Sequence, residues 1–241
     1  MVLRWLALAS ALALGCVVPS AGQADSNIPV HDGLWSLELG VQSLSGSGSM
    51  IGLSTRHHLS DRTAIRLGLA GRVTGSDRND RTSEVLTTAD TSVTSPLDRR
   101  SDSFDEREAT LFAHWVRYHG LDEHFAMTFE AGPMVHWLST ENFDQFGFPG
   151  YPDLNYQYAS DSNLWEYGLD LQVGFDWFFT RHVSLAARYG IAALRTNERD
   201  TREQFQTSNS DQYLRHDYSE THSDGFAVRT VFPLVSLNAA W

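Results

Sequence analysis

The chain has 241 residues, a formal net charge of −12 and a single cysteine, Cys16. It contains no lysine: all 18 basic residues are arginine. The acidic balance excludes nucleic-acid binding, which needs a basic face, and no apolar run of 18 or more residues follows residue 24, which excludes helical membrane spans.

Residues 1–24 read as an export signal, with Arg4 as the positive start and Trp5 to Val18 as the apolar stretch. Gly22-Gln23-Ala24 supplies a small-x-small cleavage site. Cys16 follows Ala13-Leu14-Gly15, an order unlike that of lipoprotein processing, so it leaves with the signal. The predicted mature chain, 25–241, is one domain without thiol chemistry.

After that leader the chain alternates with period two, the mark of strands with one apolar face. The first predicted strand, Leu34 to Leu44, sets Trp35, Leu37, Leu39 and Val41 against Ser36, Glu38, Gly40 and Gln42. Ser45 to Ser49 is a flexible turn. Met50 to Leu59 and Thr63 to Val73 follow, the latter with Ile65, Leu67 and Leu69 opposed to Arg66, Gly68 and Arg72. Residues 74–107 are too polar for a core and read as a long loop, with a β-like composition over Glu84 to Thr94. Strand four is Glu108 to Tyr118 and strand five His124 to Trp137, before a second long loop, 138–163. The clearest stretch is Leu164 to Leu194. There Trp165, Tyr167, Leu169, Leu171, Val173, Phe175, Trp177 and Phe179 alternate with Glu166, Gly168, Asp170, Gln172, Gly174 and Asp176. Thr180-Arg181-His182 breaks it into strands six and seven. A third long loop, 195–224, leads to strand eight, Gly225 to Trp241, with Val231, Val235, Leu237, Ala239 and Trp241 in phase.

A charged face cannot be a soluble core, whereas an apolar face of about 9–11 residues crosses a bilayer as a tilted strand. Eight such strands, joined alternately by short turns and long loops, predict an all-β, antiparallel up-and-down transmembrane barrel. Its termini would face the periplasm. Trp35, Trp115, Trp177 and Trp241 would form the inner aromatic girdle, and Trp137 and Trp165 the outer one.

On these strands, on Asp176-Trp177-Phe178-Phe179 and on the closing Ser236-Leu237-Asn238-Ala239-Ala240-Trp241, the chain resembles the small outer-membrane barrels. These are the OmpA transmembrane domain, OmpX and the opacity or "porin family" proteins. The resemblance implies a place in the bacterial outer membrane amid lipopolysaccharide, and insertion by the barrel-insertion machinery through the aromatic end, Trp241. The family more often ends in Phe. No cofactor or metal is implied.

The inward face carries Glu38, Glu130, Glu166, Asp170 and Asp176 with Arg56, Arg66, Arg72 and Arg188. In a barrel of eight strands these side chains fill the interior, and buried charges must pair. A first turn centred on Ser47 would set Glu38 directly across from Arg56. The competing reading of the same face is a narrow polar pore. His182-Val183-Ser184 is similar to the His-x-Ser pair of outer-membrane lipid A deacylases, a hydrolase reading. Against it, both residues point inward at the periplasmic end, and the next acid, Glu198, lies at the far end of the strand. His57-His58 point to opposite faces and make no metal site, while the acids Asp98, Asp102, Asp105 and Glu106 lack an EF-hand order.

Phe143, Phe146, Phe148 and Tyr151 crowd the second long loop, as a surface for an extracellular ligand or as a cap on the barrel mouth. Arg195 and Arg229 fall on the outward phase of neighbouring strands, at headgroup level, where two guanidinium groups would clamp a lipopolysaccharide phosphate. The reading that emerges is a non-enzymatic envelope barrel whose loops meet an outside partner in adhesion or envelope integrity. The alternative is a narrow channel for small or hydrophobic solutes.

Overall fold

The computed structural model describes residues 32–44, 49–80, 83–88, 91–96, 100–148, 151–208 and 213–241. The predicted leader and Cys16 lie outside them. Ten strands are described: β1 (Trp35–Leu44), β2 (Met50–Ser60), β3 (Thr63–Asp80), β4 (Ser83–Thr88), β5 (Thr91–Pro96), β6 (Arg100–Gly120), β7 (Phe125–Phe148), β8 (Tyr151–Phe178), β9 (Val183–Ser208) and β10 (Tyr213–Ala240). Eight close into an antiparallel ring in the order β1-β10-β9-β8-β7-β6-β3-β2, and β4 and β5 form a separate hairpin. The predicted eight-stranded barrel is the observed one, and the β-like composition near Glu84 corresponds to that hairpin.

The three long loops are the main correction. Most of 74–107, 138–163 and 195–224 is strand, continuing the ladders of β3, β6, β7, β8, β9 and β10. β8 alone has 28 residues, about 90 Å of chain at roughly 3.3 Å per residue. These segments carry polar residues on both faces because they stand beyond the hydrocarbon, and their aromatics do not alternate strictly, so no period-two signal in hydrophobicity remains.

β1 and β2 have only 10 and 11 residues. The β1–β10 ladder stops at Leu44↔Val231 and the β2–β3 ladder at Ile51↔Gly71. The ring is therefore closed near the chain termini and opens, at its far end, into a six-stranded sheet from β3 to β10. At the terminal end Trp35 and Trp241 exchange backbone hydrogen bonds of 3.3 and 3.0 Å, sealing the first strand to the last.

β10 carries a bulge. Val231 opposes Gly190 but Leu234 opposes Arg188, so three residues of β10 span two of β9, around Pro233. One extra residue reverses which parity faces inward. Val235 is 50% exposed and Val231 only 2%, so Val231 is not in phase with Val235 as the alternation predicts.

The Trp35–Trp241 closure leads to a test. Trp241→Asp should sharply lower the amount of heat-modifiable, membrane-inserted protein, whereas Trp241→Phe should leave it near the wild-type level. Equal insertion of both variants would remove the aromatic end from the folding account.

Candidate functional site

Inside the ring, inward positions of seven strands form a buried charged layer. Glu38 of β1 is met by Arg56 at 2.5 Å, Arg188 at 2.8 Å and Arg66 at 3.3 Å. Arg188 also reaches Glu130 at 2.5 Å and Asp176 at 3.1 Å, and Arg56 reaches Asp176 at 2.7 Å. Arg66 closes the lattice on Glu130 at 2.8 Å and is itself fully buried. Bidentate guanidinium groups suit this role, since each spans carboxylates from different strands. Asp170 joins through His114, at 3.2 Å, and Gln172. The predicted Glu38–Arg56 pair exists, but not face to face. Ser36 opposes Arg56 and Glu38 opposes Ser54, so the hairpin is centred one residue earlier and the pair is diagonal.

Two apolar layers bound this lattice. Toward the termini lie Ala64, Val116, Tyr118, Ala126 and Phe178, with the Tyr118 hydroxyl on Arg56. Toward the far end, Leu44, Met50, Ala70, Phe112, Met134, Ala192, Leu194 and Val231 form a septum. Gly68 makes room for it, because a Cβ there would lie 2.2 Å from the Phe112 ring. Two interior cavities in the barrel measure about 20 and 10 Å³, room for no more than one water each.

Beyond the septum lies a second cluster, which splits the predicted nine-residue network in two. Arg72 binds Glu106, and Glu108 at 3.2 Å. His136 sits between Glu108 and Glu166, 2.9 Å from each. Both ring nitrogens face carboxylate oxygens, so the imidazolium form satisfies both at once. Arg229 donates to Glu166 through Nε at 2.8 Å and Nη2 at 2.6 Å. This corrects the predicted phosphate clamp. The bulge turns Arg229 into the barrel, while Arg195 stays exposed on the outside between Tyr167 and Phe226. The two cannot hold one phosphate.

Arg107 points outward and pairs loosely with Asp105 and Glu141. Phe143 is outward and part-exposed on β7. Phe148 opposes Tyr151 and Phe146 opposes Tyr156 across the β7–β8 ladder, the side chains of Phe146, Phe148 and Tyr151 lying outside the described residues. His182 is exposed with Nδ1 at the Ala240 carbonyl, and the Ser184 hydroxyl accepts from Asn238. The histidine and serine of the hydrolase reading are thus engaged elsewhere. His57 stacks on Trp35 outside, while His58 is buried inside.

Glu108, His114, Tyr118 and His136 are absent from the predicted interior set, and Glu106 lies in a predicted loop. All five occupy the same inward parity as Glu130, and that alternation is the signal that marks them.

On the outer wall the odd positions of β8 form a continuous apolar strip, and Trp35, Trp115, Trp165, Trp177 and Trp241 are exposed on that side. Trp137 and Trp165 face each other at 6.2 Å. An apolar band with aromatic borders around a charged interior is the reverse of a soluble protein. This is a small outer-membrane β-barrel. No protein-family model and no curated protein matches its sequence. Among solved structures it is similar to Ail, the attachment invasion locus protein of Yersinia pestis (TM-score 0.36, 10% identity, 87% of this chain and 99% of that one). It is also similar to a major outer membrane protein from Thermus thermophilus (TM-score 0.40, 12% identity, 86% and 99%). At such scores neither match bears on what the barrel does.

The Glu38 lattice yields a stability prediction. Glu38→Leu alone takes one carboxylate from each of three buried guanidinium groups and should cost about 3–5 kcal/mol in urea unfolding of the bilayer-inserted protein. Glu38→Leu with Arg56→Met removes one charge of each sign and should cost clearly less. Equal losses would mean that Arg56 is not held by Glu38.

Proposed function

We propose that this protein is a non-enzymatic scaffold of the outer membrane. Its termini face the periplasm, and its six-stranded far sheet stands outside the cell to contact a partner, in adhesion or envelope integrity. The observation that carries the reading is the packing of the lumen. Among the described residues a charged lattice lies between two apolar layers, and the two cavities within the barrel hold about one water each, which supports an anchor over a route. The polar strands beyond it are long and rigidly laddered, which suits a surface held away from the lipid.

Two measurements test this. In planar bilayers the refolded protein should give no single-channel steps; discrete conductance would favour the channel reading. Bacteria displaying the full chain should attach to a test surface more than bacteria displaying a trimmed form. In that form short turns replace 77–103, 143–159 and 199–222. Equal attachment of the two would overturn the scaffold reading.

A further inference from the structure

The far half of β10 is an open edge. Its ladder to β9 continues from Val231 up to Tyr213, while its ladder to β1 ends at Val231. From Arg215 to Phe226 every residue is exposed, on both faces. Protected edges carry prolines, lysines or bulges. Between Tyr213 and Val228 there is no proline or lysine; of the strand's two bulges, one lies below, where β1 already covers the strand, and the other at the tip, between Tyr213 and Arg215, so that Arg215 to Val228 runs in unbroken register. Nor is the edge guarded by free charge. Arg215 holds Asp217 at 2.6 Å, Arg199 holds Glu220 at 2.8 Å, and Asn197 donates to Asp224 at 2.9 Å.

We propose that this edge pairs with the same edge of a second copy in a facing membrane, joining two cells; this rests on the outward-contact reading above. Symmetry and register both favour it. Two copies in one membrane tilt their strands the same way, so a two-fold axis along the membrane normal crosses the edges instead of aligning them. A two-fold axis perpendicular to the sheet reverses the strand and sets the edges side by side, antiparallel, with the membranes opposed. It also keeps outer faces together, so residues pair with like parity.

Several registers are then excluded by opposed like charges. Centring on Asp217 or Glu220 opposes each to itself, and centring on His222 opposes Glu220 to Asp224. Centring on Thr221 gives the longest compatible ladder, running from Arg215 to Ala227. In it Glu220 meets His222, Tyr218 meets Asp224, Ser219 meets Ser223 and Asp217 meets Gly225. Directly opposed side chains on such a ladder lie about 4.5–5.5 Å apart, where opposite charges attract and like charges repel.

The test uses two fluorescently distinct populations of proteoliposomes, with the far sheets outward, read by co-clustering. Wild-type vesicles should cluster with one another. Ser219→Lys with Ser223→Lys places two like-charged contacts on every dyad and should reduce clustering to that of protein-free vesicles. Ser219→Asp with Ser223→Asp should do the same. Mixing the lysine and aspartate populations should restore clustering, which also shows that both variants fold. Absence of wild-type clustering, or mixed populations that stay apart, would overturn the pairing. If wild-type vesicles stay apart while trimming still abolishes attachment, the partner is not a second copy and the outward-contact reading stands.

Discussion

Closure is the constraint on which this molecule depends. In hydrocarbon every backbone donor and acceptor must be satisfied within the protein, so a sheet can cross only as a ring without edges. Here the ring is completed by β1 pairing with both β2 and β10 and by the Trp35–Trp241 exchange at its base. Eight strands enclose a space that side chains just fill. Because the outer face belongs to lipid, the inner one takes the charges, and those charges hold only as a lattice. Arg188 touches acids from three other strands, Glu38, Glu130 and Asp176. Each carboxylate removed would leave buried cations behind, which is why the interior behaves as one unit.

The constraint lapses beyond the lipid, and the architecture changes at that level. β1 and β2 end at Leu44 and Met50, which are themselves part of the septum. Past them the six remaining strands continue as an open sheet whose edges water can satisfy. The Arg72, Glu108, His136, Glu166 and Arg229 cluster lies at this transition and ties β3, β6, β7, β8 and β10 together where the ring no longer does.

The closed half was legible in the sequence and the open half was not, for one physical reason. Lipid on one side and charge on the other impose strict alternation, so Trp165 to Phe179 announces both its strand and its facing. Glu38, Arg56, Arg66, Glu130, Asp176 and Arg188 followed from parity alone. Water on both sides imposes no alternation, so the upper parts of β7, β8 and β9 read as loops. Facing also failed where one residue shifts the count. The Pro233 bulge sends Val231 and Arg229 inward, and parity extrapolated from Trp241 cannot register an insertion. The histidines of the interior were visible as inward positions, yet a neutral imidazole does not stand out in a tally of charges.

The packing predicts a lumen sealed below the septum and open above it. Cysteine accessibility measures this directly, in a Cys16→Ser background with a small charged thiol reagent on the bilayer-inserted protein. Thr128 is fully buried in the charged layer and Thr140 lies on the inner face beyond the septum. Thr140→Cys should react quickly, and Thr128→Cys should stay unreacted from either side of the membrane until the protein is unfolded. Labelling of Thr128→Cys at a rate comparable to that of Thr140→Cys would show a water path through the barrel and contradict the account.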